Sequence, residues 1–473
     1  MSAIITEKFR QHNANQFYES FTEASASTYY LFLGKASGFT ASTSGGSDSS
    51  PPTPSDSPKE EYFSWDSMLG AKKIASTDVA YAIPRRNWAN STVYDMYRHD
   101  YSASNTSTSG SSNLYDSTYY FLTSDYRVYK VLDNNDGAAY SGSEPTSEST
   151  SAFAIGGYVI KYMYTISTSN FAKYGTTDFI SVATDSTVSD AATDGKIESL
   201  VVSGAIVRIT VTSGTIVSFG LTAGTDTTLH AGGAAYTFGY VNLGAAYIFS
   251  DSSLSSSSTL GSGTGGAISV IISPDGGHGN NAITELGGHY VMSAITLTQA
   301  EGDDFSTSND FRSVGLVVDP YNFGTTTVAS ATTRRQTFVV KVGTVSGTFE
   351  PDEVITQATT GAVGKVVEYD STLSLVYYQQ ESYKGYGTNA TTGGYVAFSG
   401  ANVITGGTSG ATGTPSTTTE TLTLANSNTL DLTTGYANPE LVADSGNIIY
   451  LENRKPIQRA SDQTEDIKII IEF

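Results

Sequence analysis

The chain contains no cysteine. Disulfides and thiolate metal sites are thereby excluded, and the composition suits assembly in a reducing cytoplasm. Charge is scarce too: charged residues make up 15 % of the 473 positions, and 46 acids against 25 bases leave a formal net charge of -21. Nucleic-acid affinity comes largely from lysine and arginine neutralising phosphates, so DNA and RNA are not expected as partners. Long apolar runs are also missing. The stretch Tyr158 to Ile166 is interrupted by Lys161 and stops far short of the ~20 residues of a membrane span, so a soluble chain is expected. Met1 to Arg10 alternates, with Ile4, Thr6 and Lys8 against Ile5, Glu7 and Phe9. That reads as a strand and not as a secretory signal. Histidines number five, none four residues from another. No H-E-x-x-H helix, G-x-S-x-G elbow or G-x-x-x-x-G-K phosphate loop occurs.

What is abundant points to β structure. Forty-seven glycines, 31 tyrosines and long Ser/Thr tracts favour pleated, turn-rich chain over helix. Helical patterning is confined to two early places. His12 to Ala24 carries Phe17 and Phe21 at i,i+4. Residues 58–73 open with Ser57 as N-cap, Pro58 at the first helical position and Glu60 three residues after the cap. Between them, Ala36 to Ser57 ends in PPTPSDSP and reads as a surface loop. From Tyr119 strand follows strand. Tyr119 to Thr123 and Tyr126 to Leu132 are read as a hairpin closed by the turn-forming run Asp133 to Gly137, then comes Gly156 to Ile166, and later Leu200 to Thr212 and Ala267 to Ile272.

The expected fold is mainly β with short helices (α+β): a layered antiparallel β-sandwich core carrying small inserted β modules. Composition shifts divide the chain into a core from 1–182 together with 420–473, a second β-rich domain at 183–323, and an inserted Gly/Thr-rich module at 324–419. That module holds an internal repeat. Glu353 to Val366 aligns with Asn402 to Pro415 at an offset of 49, with 7 of 14 positions identical. Each copy reads as a compact hairpin, and an uncharged Gly/Thr-rich face suits adhesion.

No residues emerge as catalytic, cofactor-binding or metal-binding. The loop Pro274 to Asn281 could bring backbone amides and His278 to a ligand, against a plain tight loop in which His278 makes a structural hydrogen bond. Asp133, Asn135 and Glu144 sit at calcium-loop positions, but Gly137 and Ala138 break the pattern and a hairpin turn is the better reading. Glu301, Asp303, Asp304 and Asp310 are the densest acidic patch, read as a solvated loop in preference to a glycosidase pair. Arg85 and Arg86, between Pro84 and Trp88, suit either a contact with an acidic protein surface or bracing of the fold itself.

Several blocks together carry a likeness: Ala3 to Arg10, the proline-rich loop with its Trp helix, Ile83-Pro84-Arg85-Arg86-Asn87-Trp88, Gly157 to Tyr162, Phe311 to Pro320, and above all Ile448 to Ile457 with Asp462 to Glu465. In these the chain resembles the baseplate wedge subunit, gene product eight, of T4-like contractile-tailed phages. The resemblance implies a structural, non-enzymatic subunit with no cofactor. It would be assembled in the host cytoplasm and resident in the virion tail baseplate, would dimerise, and would join other wedge proteins in a sixfold baseplate. Tyr450, Glu452 and Arg454, with Arg85, Arg86 and Trp88, are the candidates for partner contact or fold bracing. The competing reading is a receptor-binding or adhesive tail protein that recognises surface glycans through 324–419. In the last segment Ile467, Ile469, Ile471 and Phe473 share one face, so the chain end is expected in a sheet.

Overall fold

The computed structural model describes residues 6–23, 26–39, 45–149, 151–183, 206–213, 267–274, 277–298, 310–382, 394–424, 429–457 and 464–473. Among the described residues strand outweighs helix, 40 % to 12 %, and the sheets are antiparallel, so the expected class holds. Two compact units form. One comprises Met1–Tyr18, Ala80–Met292 and Ile470–Phe473; the other comprises Glu19–Val79 and Ser293–Ile469.

The first unit opens with helix α1 (Glu7–Glu19). Two expectations are corrected here: the strand does not reach Arg10, and the helix begins before His12. Thr6 decides the matter locally, because its hydroxyl accepts from the Phe9 amide at 3.3 Å as an N-cap would. Tertiary packing reinforces the helical period, since Phe17 lies 5.3 Å from Phe473 and Tyr18 stacks on Tyr81 at 4.4 Å. Residues 1–5 lie outside the described residues.

Strand β3 (Val79–Pro84) pairs with β8 (Phe179–Ser181), Ile83 opposite Ile180. Strands β4 (Tyr120–Leu122), β5 (Arg127–Asp133), β7 (Tyr158–Thr165) and β6 (Phe153–Ile155) form a sheet in the order β4-β5-β7-β6. The expected hairpin is present, but it closes through Thr123 to Tyr126, where the Thr123 amide donates to Arg127 O at 2.9 Å. The Asp133 to Gly137 run is a separate turn after β5, because Asp133 is still paired with Val159. Strands β9 (Ile206–Ser213) and β10 (Ala267–Ile272) pair antiparallel, and β10 has the bounds read from the sequence. Helices α3 (Thr168–Tyr174) and α4 (Ala282–Leu286) add to the two expected. Both are too short for a periodic signal and depend on their caps, Ser167 and Asn281.

The second unit is built on a five-stranded sheet in the order β13-β2-β1-β12-β23. Its strands are β1 (Tyr29–Gly34), β2 (Met68–Lys73), β12 (Phe311–Val318), β13 (Thr333–Arg335) and β23 (Asn447–Ile457). Helix α2 (Pro58–Asp66) starts as its signals predict, with the Ser57 hydroxyl accepting from the Glu60 amide at 3.3 Å. It ends at Asp66, not residue 73, because Met68–Lys73 pairs with β1 on one side and β13 on the other. Nonlocal pairing wins there. Trp65, Met68 and Ala71 are then buried with Tyr30, Phe32 and Val317. The loop before α2 is pinned by Arg312, 7 % exposed, whose guanidinium is bidentate to Asp48 at 3.0 Å through both nitrogens.

The repeat copies do not stand apart as separate decorations. Strands β15 (Val354–Gln357) and β16 (Ala362–Asp370) are the first hairpin, β18 (Ile404–Gly406) and β19 (Thr412–Pro415) the second. With β14 (Phe338–Ser346) and β17 (Leu375–Gln379) they run β17-β16-β15-β18-β19-β14, and β14 pairs back onto β17, closing a six-stranded ring. The repeat-equivalent residues Thr356 and Thr405 are direct partners, as a local twofold between the copies requires. Closure removes the edges that such short strands would otherwise expose. The core holds Val340, Val342, Phe349, Ile355, Phe398 and Ile404. It explains the shared glycines at 364 and 413: a Cβ would sit 3.0 Å from Tyr378 in one copy and 2.8 Å from Val342 in the other. The Glu353 carboxylate of the first copy also ties the second, accepting from the Ser409 amide at 3.0 Å and the Thr408 amide at 3.1 Å. Outside the ring, β22 (Tyr436–Ala437) adds to β14, and β20 (Glu420–Thr423) pairs with β21 (Thr429–Leu432).

The chain end forms β24 (Thr464–Glu472), at the edge of a four-stranded sheet next to β11 (Tyr290–Thr298). Ile469 is buried at 6 % exposure, while Ile467, Ile471 and Phe473 are half-buried.

Candidate assembly contacts

Strand β23 displays the polar row singled out at the C-terminus. It pairs with β12 on one side, and among the described residues no strand pairs with its other edge. Because side chains alternate, Tyr450, Glu452 and Arg454 share a face. The Tyr450 hydroxyl donates to the Glu452 carboxylate at 2.8 Å, and Arg454 Nε donates to it at 3.0 Å. Burial, and next the Glu452 carboxylate beside it, push the Tyr450 hydroxyl up to about 12. Side chains of Glu452 and Arg454 are 43 % and 48 % exposed, so the row faces outward ready-formed. Ile449 beside it is 45 % exposed.

Arg85, Arg86 and Trp88 are used inside the first unit. Arg85 donates to Thr176 O and Asn87 Oδ1, both at 2.8 Å, and lies over the Phe171 ring. Arg86 donates to Tyr115 O at 2.7 Å, with its guanidinium 4.3 Å from the Tyr120 ring centre. The Trp88 amide bonds Leu122 O, and its ring meets Tyr140 edge-on.

The loop ending at Asn281 turns its amides on its own protein. Gly279 and Asn281 amides donate to one oxygen of Glu285 at 2.8 Å and 3.1 Å, and the other oxygen receives Lys130 Nζ at 2.7 Å. Lys130 and Glu285 side chains are 0 % and 1 % exposed. Burial pushes the Lys130 ammonium below its ordinary range, opposed by the Glu285 charge. Sequence reading missed this pair; its one local trace is a lysine amid the apolar residues of β5. His278 was expected to make a structural hydrogen bond. Instead it packs edge-on against Tyr97 at 4.7 Å, and neither ring nitrogen has a partner among the described residues. Burial, then the charges of Lys130 and Lys161, hold it well below the usual imidazole range. Asp275 and Gly276 lie outside the described residues.

The remaining candidates separate. Asp133 accepts from the Asn135 amide at 2.8 Å, while Glu144 caps Ser124 through its amide at 2.6 Å and hydroxyl at 2.5 Å. Among the described residues no group of three or more His, Asp or Glu side chains is placed to hold a metal ion. Asp310 pairs with Arg312 at 3.1 Å; Glu301, Asp303 and Asp304 fall outside the described residues.

One cleft in the second unit gathers ionisable groups that sequence reading did not connect. It has a volume of about 70 Å³ and lies between α2, the five-stranded sheet and the ring, lined among others by Lys35, Glu60, Asp66, Lys365 and Glu381. That is far below the roughly 300–1,000 Å³ of ordinary ligand pockets. Asp66 instead fastens the ring to α2, accepting from the Ser382 amide at 2.7 Å and hydroxyl at 2.8 Å. Burial raises the Asp66 carboxyl from 3.8 to about 6, and burial lowers the Lys35 ammonium from 10.5 to about 8. A carboxyl raised in the folded state takes up a proton on folding, so stability falls as pH rises from about 4 through 6. Denaturation midpoints across that window should decline for the wild type and stay flatter for Asp66→Asn. Parallel curves would mean that Asp66 is not the group responsible.

Among the described residues the ionisable groups tie structure together and the polar row of β23 faces outward, on a molecule built of antiparallel sheets. Comparison with known families adds to this. The family model described as Bacteriophage T4, Gp8 matches residues 3–143 and 415–473. That match covers 200 of the 473 residues, at the two ends of the chain, and makes it similar to the Gp8 family, structural proteins of the phage baseplate wedge located in the virion tail baseplate. Residues 144–414, which include all of the six-stranded ring but Pro415, lie outside the match. No curated protein matches the chain.

Proposed function

We propose that the chain is a non-catalytic building block that dimerises and binds other wedge proteins to build a sixfold baseplate. The observation that carries this is the place of β23: the strand with the open edge and the Tyr450, Glu452 and Arg454 row falls within the matched segment 415–473. A stable contact commonly buries ~1,600 Å², with aromatic and arginine side chains near its centre. β23 offers both kinds. For Arg85, Arg86 and Trp88 the intramolecular contacts support bracing over partner contact. Neither nucleic acid nor membrane enters this reading: the chain carries a net charge of -21, and no helix among the described residues is long and apolar enough to cross a bilayer.

Mixing the purified chain with candidate wedge proteins and measuring mass by light scattering tests it. Complexes of defined stoichiometry are expected, and a chain that stays monomeric and joins nothing overturns the proposal.

A second reading keeps one specific observation. On the ring, Val354 and Val403 occupy equivalent repeat positions and are 42 % and 50 % exposed, beside exposed Thr356 and Thr405. This uncharged face suits a glycan or another adhesive contact. Glycan-array binding lost on removal of the ring would favour it.

A further inference from the structure

We infer that the chain pairs with a second copy of itself through β23, the two strands running antiparallel about a twofold axis at Asn453. This rests on the dimeric reading above and names its interface.

Three observations lead to it. First, the outer edge of β23 is eleven residues long and unpaired among the described residues. Its backbone donors and acceptors are a ready template for another strand. Secondly, the edge escapes the charge that opposes self-association elsewhere. The chain has a net charge of -21, yet β23 (NIIYLENRKPI) carries one acid and two bases. Thirdly, its charges are self-complementary. With Asn453 facing Asn453, Glu452 lies opposite Arg454 of the second copy, and Arg454 opposite the second copy's Glu452. Directly opposed unlike charges stabilise an antiparallel pair, and like charges destabilise it.

Local structure prepares the edge. Glu452 and Arg454 are already aligned on one face by their own 3.0 Å contact and by Tyr450, so pairing joins two rows into one alternating ladder. Asn453 keeps its side chain off the axis, because Oδ1 accepts from Ser313 at 2.7 Å and Nδ2 donates to Pro52 O at 3.1 Å. Lys455 and Pro456 then stop the ladder, since proline has no amide hydrogen to offer. A twofold pairing that ends there is closed and adds no third copy.

The test uses charge reversal in the full chain, with mass measured by light scattering or sedimentation. Glu452→Arg sets arginine against Arg454 across the axis, and Arg454→Glu sets glutamate against Glu452; each variant alone should fall to half the wild-type mass. Mixed together they should form a heterodimer of wild-type mass, because both cross-axis pairs become complementary. The double reversal should dimerise with itself but not with the wild type, because mixing the two sets arginine against arginine and glutamate against glutamate; this decides the matter should either single variant fail to fold. A wild-type dimer indifferent to both single reversals places the interface elsewhere and overturns this proposal, leaving the dimeric reading standing. A wild-type monomer overturns both.

Discussion

Removal of Asp466 to Phe473 is expected to abolish folding. The last residues hold both ends of the first unit's discontinuous chain. Phe473 packs on Phe17 of α1 at 5.3 Å, its amide donates to His289 O at 3.1 Å, and the Arg10 guanidinium contacts both the Phe473 carbonyl and the Glu472 carboxylate. In the second unit Ile469 is buried at 6 % exposure, and the Asp466 carboxylate accepts from the Thr296 hydroxyl at 2.6 Å. Each fully buried large apolar side chain contributes about 1.5–3 kcal/mol, while a domain is stable by only about 5–15 kcal/mol. Losing Ile469 and much of Ile467, Ile471 and Phe473 therefore consumes most of that margin. An isolated helix the length of α1 is marginal in water and would fray without its docking partner. Expression, circular dichroism and light scattering check this; a soluble, folded and dimeric truncation product would refute it.

Substitution of Lys130 by alanine should destabilise the protein by about 3–5 kcal/mol, because it strands the Glu285 carboxylate inside the fold. The pair is at 2.7 Å with side chains 0 % and 1 % exposed. Glu285 also organises the loop before α4 through the amides of Gly279 and Asn281, so its charge cannot simply turn to water. Lys130→Met combined with Glu285→Leu should cost much less than Lys130→Ala in its ionic effect, since two charges leave together; the loop amides keep it from being neutral. Urea unfolding of the three proteins separates the terms. A loss below about 1 kcal/mol for Lys130→Ala would show the carboxylate to be solvated.

How much could be read in advance depended on distance along the chain. The start of α2 was legible because a cap acts over three residues: Ser57, Pro58 and Glu60 are neighbours. Its end was not, because the competing strand Met68–Lys73 is specified by Tyr29–Gly34 and Thr333–Arg335. The alternation at Met1 to Arg10 misled for a related reason: a short two-residue period over Ile4 to Phe9 carries less weight than one capped helical turn supported by Phe473. Strand β10 was read to the residue because a short β-branched run between glycines permits little else.

The candidate contacts divide the same way. Tyr450, Glu452 and Arg454 could be named from the chain alone, and period-2 alternation already put them on one face. That their strand lies at an edge among the described residues depends on β12, its one strand partner there. Arg85 and Arg86 could not be assigned to bracing or contact from sequence, since their acceptors, Thr176 O and Tyr115 O, lie 91 and 29 residues away.

Composition and local pattern were sufficient for the β class, the absence of thiol chemistry, the acidic surface, the family likeness and the existence of two related hairpins. Those properties add up residue by residue or over a few neighbours. The ring into which the hairpins close, the Lys130–Glu285 pair bridging 155 residues, and the side of β23 left open among the described residues came only with the folded chain. Strand neighbours and buried charge partners are chosen by packing across long separations, and no short stretch of sequence carries that choice.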